Sequence, residues 1–81
     1  MTNDQFASHH GYTTFEEMID LSTIVLSIYG ELWIISPTGN EFLAWVDKHY
    51  DQPLGCFETF EEAESYIVGL CRALCVLSQK L

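Results

Sequence analysis

The chain has 81 residues and carries 12 Asp and Glu against 3 Lys and Arg, a formal charge of −9. One domain is the expected count at this length, and 48% hydrophobic residues with 14% aromatics exclude a disordered chain. So acidic a balance excludes direct nucleic-acid binding, which needs Lys and Arg on phosphates, and an anionic membrane surface; a basic surface on another protein is the favoured partner.

In chain order, residues 1–13 are polar and read as a flexible arm, with Phe6 and Tyr12 available to dock, ahead of a single domain over 14–81. The arm lacks the basic and apolar regions of a secretory signal. The apolar stretch over 21–29 is far short of a membrane span. Three cysteines suit a reducing cytoplasm better than a disulfide framework.

Thr14-Phe15-Glu16-Glu17 has the form of a capping box, which predicts a helix from there to about Tyr29, with Gly30 as its stop. On a helical wheel Glu16, Asp20, Thr23 and Ser27 make one narrow polar strip, so this helix is expected to be sandwiched. Residues 31–47 then read as a β-hairpin: two runs rich in β-branched and aromatic residues flank Pro-Thr-Gly-Asn. With the turn centred on Thr38-Gly39, Ser36 faces Glu41, Ile35 faces Phe42 and Trp33 faces Ala44. One face of the hairpin carries Trp33, Ile35, Phe42, Ala44 and Val46. The other carries Leu32, Ile34, Leu43 and Trp45. Strands with one wet face alternate apolar with polar; these do not. The Leu32, Ile34, Leu43 and Trp45 face is therefore a candidate surface for a partner or a homodimer, unless a helix covers each face.

Residues 49–55 read as a loop, and 54–58 as a short third strand with Phe57 inward. Thr59-Phe60-Glu61-Glu62 repeats the T-F-E-E helix start, and shared capping chemistry explains it better than an internal duplication. The second helix is predicted to reach about Gln79, with Phe60, Ala63, Ile67, Leu70, Leu74, Leu77 and Leu81 as its apolar stripe. The fold class is α+β, in the order helix, hairpin, possible third strand, helix.

Little here points to reaction chemistry. Cys71 and Cys75 lie four apart on the second helix, without the knuckle and the matching second pair of a structural zinc site. Cys71 sits among apolar neighbours, where a cysteine packs as a small hydrophobe. The acid pairs Glu16/Glu17 and Glu61/Glu62 each begin a helix, where the dipole accounts for them. There is no Gly-rich phosphate loop, G-x-S-x-G or H-E-x-x-H. The expectation is a non-enzyme without metal or cofactor. The acids themselves remain: Glu31, Glu41, Asp47 and Asp51 around the hairpin, and Glu58, Glu61, Glu62 and Glu64 at the second helix start. These eight are the candidate contact residues for a basic partner, the hairpin four weighted most.

The layout over 31–70, a hairpin, a loop and then F-E-T-F-E-E-A-E-S-Y-I opening a helix, resembles small acidic phage-encoded proteins of the anti-CRISPR type. That resemblance implies a non-enzymatic inhibitor in the host bacterial cytoplasm, seated on the nucleic-acid-binding groove of a defence protein as a nucleic-acid mimic. Toxin-immunity proteins share the same acidic character. The competing reading is a small dimeric structural or regulatory protein–protein interaction module.

Overall fold

A computed structural model describes the backbone of residues 1–79 and the side chains of residues 1–74. Among these, the chain runs α1 (Asn3–His9), α2 (Phe15–Asp20), β1 (Thr23–Ile28), β2 (Glu31–Thr38), β3 (Glu41–Val46), β4 (Gly55–Phe57) and α3 (Phe60–Gln79). The strands form one antiparallel meander in the order β1-β2-β3-β4. The fold is α+β, with the sheet between α1 and α2 on one face and α3 on the other.

The amino-terminal segment expected as an arm is instead a packed helix. Thr2 Oγ1 accepts from the Gln5 N–H at 3.2 Å and Gln5 Oε1 accepts from the Thr2 N–H at 2.8 Å, a complete capping box. At the other end, Gly11 (φ 88°) allows Tyr12 N–H to donate to Ala7 O and Gly11 N–H to Ser8 O. That is a Schellman closure, which needs a left-handed residue where the glycine stands. Phe6 and Ala7 are buried.

The helix predicted over 14–29 is overturned in its second half. Thr14 does cap it, accepting from Glu17 N–H at 3.1 Å, and Asp4 of α1 accepts from Phe15 N–H at 3.1 Å, satisfying a second donor of the first turn. The helix ends at Asp20. The next residues, T-I-V-L-S-I, are mostly β-branched and lose side-chain freedom in a helix; paired with β2 they become β1. Gly30 is not a helix stop. It shares a two-residue turn with Tyr29, both at positive φ (79° and 53°), the type I′ geometry that matches strand twist.

The predicted hairpin forms, but its register moves by two residues. Thr38 pairs with Glu41, Ser36 with Leu43, Ile35 with Ala44 and Trp33 with Val46. The turn is Gly39-Asn40, with positive φ at Gly39 (63°), as a II′ turn requires. A slip of one residue would exchange the two faces; a slip of two preserves them. Trp33, Ile35, Ala44 and Val46 accordingly line the α3 side, joined by Ala63, Ile67 and Cys71. Ile34, Leu43 and Trp45 line the other side, with Phe6, Ala7 and Met18.

The second core is aromatic. Phe6 packs 4.7 Å from Trp45 and 5.1 Å from Tyr50, and Phe15 lies 6.0 Å from Trp45, all within the range of favourable tilted or edge contacts. Its one buried polar side chain among the described residues, Ser36, is fully satisfied. Trp45 Nε1 donates to Ser36 Oγ at 2.8 Å, Ser36 shares a hydrogen bond with Ser22 Oγ at 2.5 Å, and Ser22 donates to Met18 O at 2.5 Å. Because Ser22 spends its proton on Met18, Ser36 is the donor between the serines. The chain runs one way, from β3 through β2 to α2. Tyr12 adds a tie by donating to Pro37 O.

α3 begins as predicted, with Thr59 Oγ1 accepting from Glu62 N–H at 3.1 Å. Phe60 meets Phe42 edge-on at 6.1 Å. Ala63, Ile67 and Cys71 follow as its buried stripe. The expected stripe residues Leu77 and Leu81 and the cysteine at position 75 lie outside the residues whose side chains are described.

Candidate interaction surface

The face Leu32, Ile34, Leu43 and Trp45, expected to meet a partner or a second copy, is the floor of the second core. Ile34 and Trp45 are 0% exposed and Leu43 is 1%; Leu32 is half-buried beside them. α1 and α2 cover it, and α1 was the cover that the sequence reading lacked. Of this face only Leu32 keeps partial exposure.

The eight acidic candidates fall at opposite ends of the sheet. The strand register places the Tyr29-Gly30 turn, Glu31 and Val46 at one end and the Gly39-Asn40 turn, Glu41 and Phe57 at the other. Glu31, Asp47 and Asp51 belong to the first end, and each is engaged locally. Glu31 lies 3.0 Å from His49 Nε2. Asp47 accepts from Tyr50 O–H at 3.0 Å, and Asp51 is 3.9 Å from the terminal amine of Met1. Burial, reinforced by the hydrogen bond and charge of Asp47, raises the Tyr50 hydroxyl above its ordinary value of 10.0.

Glu41, Glu58, Glu61, Glu62 and Glu64 make the second group. Phe42 pairs with Phe57 in the last rung of the β3–β4 ladder, so Glu41 and Glu58 lie one residue beyond it on neighbouring strands. Glu61 and Glu62 sit in the first turn of α3 directly after. All five are exposed, and Glu62 also holds the Thr59 hydroxyl at 3.0 Å. Among the described residues no carboxylate of either group pairs with Lys or Arg. The hairpin four are thus not one surface. The helix-start acids, weighted less in the sequence, form the denser and less neutralised group once Glu41 joins them.

Nothing among the described residues gathers three His, Cys, Asp or Glu side chains into a metal-holding group. Cys71 is buried in the α3 core and Cys56 is exposed on β4. No helix among the described residues is long and apolar enough to cross a membrane.

Two features of the α3 face escaped the sequence reading. β1 is an edge strand of six residues without a charged side chain. The other edge, β4, is three residues long, a length that blunts an edge. Beside β1, Trp33 Nε1 is buried with no hydrogen-bond acceptor. The run T-I-V-L-S-I followed by Tyr-Gly was the available signal for the strand. Compared with protein-family models, curated proteins and solved structures, the chain matches none.

Proposed function

We propose that this protein is a non-enzymatic acidic inhibitor of the anti-CRISPR type, acting on a basic, nucleic-acid-binding surface of a bacterial defence protein. Glu41, Glu58, Glu61, Glu62 and Glu64 stand in for phosphates, and binding blocks nucleic acid by occupancy. The observation that supports this reading is the five exposed carboxylates at one end of the sheet, with no Lys or Arg paired to them among the described residues. Glu61 and Glu62 suit the helix dipole, but five carboxylates of one sign together raise self-repulsion, and they steer encounter with a cationic groove. Glu31, Asp47 and Asp51 contribute to the long-range field rather than to the docked contact.

The test is competition. A CRISPR effector ribonucleoprotein titrated with this protein is expected to lose its target DNA in a mobility-shift assay. The triple variant Glu58→Lys, Glu61→Lys, Glu62→Lys is expected to slow association by about tenfold or more. Undiminished inhibition by the triple variant would refute phosphate mimicry at this end. A second reading, a small dimeric structural or regulatory interaction module, is favoured by β1, an edge strand without a charged side chain on which Ile24 is 51% exposed.

A further inference from the structure

We infer that β1 pairs with β1 of a second copy, edge to edge and antiparallel across a twofold axis, so that two four-stranded sheets become one. This goes beyond the inhibitory reading and does not depend on it.

The kind of occupant follows from the backbone. The outer edge of β1 has no strand beside it among the described residues, and an edge presents unpaired N–H and C=O groups that another extended strand satisfies. Its six residues, Thr23–Ile28, include neither a charged side chain nor a proline, two of the usual means of keeping strands away. In a two-residue hairpin the residues flanking the turn, here Ile28 and Glu31, form a hydrogen-bonded pair. Ser27, one residue earlier, therefore directs its own N–H and C=O away from β2. Thr23, Ile24 and Ser27 are exposed.

The identity of the occupant follows from a bulge. The β1–β2 register shifts between Ile24 and Leu26, so Val25 has no partner of its own on β2. Thr23, Leu26 and Ile28 pair with Ile35, Trp33 and Glu31 on the α3 side, and Val25 packs against the same core. Ile24 and Ser27 pair with Ile34 and Leu32 on the α1–α2 side. From Thr23 to Ile28 the sides thus run α3, α1–α2, α3, α3, α1–α2, α3, an order that is the same in both directions. A regular strand alternates throughout and can lie against β1 only by leaving one residue unopposed, as β2 does. A second β1 opposes all six. Thr23 of one copy meets Ile28 of the other, Ile24 meets Ser27, and Val25 meets Leu26, each pair on one side of the joint sheet. That is the self-complementarity an isologous contact needs.

Charge sets how this contact responds to salt. β1 offers a basic strand no carboxylate to pair with, while the two joined bodies carry −9 each. Salt screens that repulsion and leaves the backbone pairing in place. The dimer should tighten as salt rises, the opposite of docking on a cationic groove.

Light scattering of the full chain across the micromolar range, at low and moderate salt, tests this. The expected mass is twice the 9.3 kDa chain, held to lower protein concentration at the higher salt. Ser27→Pro removes an outward donor and no bond to β2, a place where an edge strand accepts proline. Ile24→Lys puts a charge at an exposed position of the same edge. Each variant is expected to give the monomer mass with unchanged far-ultraviolet circular dichroism. Glu58→Lys with Glu61→Lys, which bears on inhibition, should leave the dimer intact. A wild-type monomer at every concentration overturns the inference, and so does a dimer that survives both β1 variants.

Discussion

Ser36 is the residue on which the second core is pinned. It is 0% exposed, accepts from Trp45 Nε1 and donates to Ser22, so one hydroxyl orients the largest core side chain and fastens β2 to α2. Ser36→Ala removes little volume but strands the Trp45 N–H in an apolar site. The expected loss is about 1–3 kcal/mol, read from urea denaturation. Ser36→Thr retains a hydroxyl and should recover part of it. His10 sets a pH dependence on the same side of the sheet. Burial, and then the neighbouring His9, hold its imidazole below the ordinary 6.5; the Phe6 ring lies 4.7 Å away. The fold favours neutral His10 while the unfolded chain takes up the proton more readily. Its contribution is therefore full above the unfolded value and lost as pH falls through the folded one. Denaturation midpoints of wild type and His10→Gln, compared between about pH 7 and about pH 5, should diverge at the acid end, with wild type losing more. The comparison isolates His10, because both chains share the same carboxylates.

At the scale of elements, α1 closes the second core with Phe6 and Ala7. Phe6 touches Trp45, Tyr50 and His10, and Phe6→Ala is expected to cost about 3–5 kcal/mol by chemical denaturation, a large share of a small domain's stability. The sequence carried the signs of this helix. Thr2 and Gln5 spell a capping box and Gly11-Tyr12 a Schellman end, but only one apolar turn lies between them, too short to stand out by periodicity. β1 was hidden differently. The T-F-E-E cap before it and Gly30 after it frame a stretch whose apolar residues fit a helix wheel, and only pairing with β2 decides for a strand. The two faces of the hairpin were legible because alternation survives a two-residue error in the turn; the register was not, because Pro-Thr-Gly-Asn accommodates either turn. The acids show the same limit. Their identities are plain in the sequence, yet which of them share an end follows from register and from where α3 starts. Glu41 and Glu58, seventeen residues apart in number, become neighbours only through β4.

For the whole molecule, charge is divided rather than uniform. The five carboxylates around the Gly39-Asn40 turn and the α3 start have no cationic partner among the described residues, whereas Glu31, Asp47 and Asp51 at the opposite end are each engaged locally. On the proposed function, the Gly39-Asn40 end is the one that would meet a basic protein groove. Reversing Asp47 and Asp51 to Lys, at the end away from the proposed contact, should slow association less than the triple variant at Glu58, Glu61 and Glu62, as measured by stopped-flow or surface-binding kinetics.

The most direct measurement is the affinity of this protein for a CRISPR effector ribonucleoprotein at low and high salt, with target DNA as competitor. Docking of carboxylates on a cationic groove predicts an affinity that falls steeply with salt, because added salt shortens the Debye length and screens exposed charges, and mutual exclusion with DNA. Binding that is indifferent to salt, or that tolerates DNA in the groove, would contradict it.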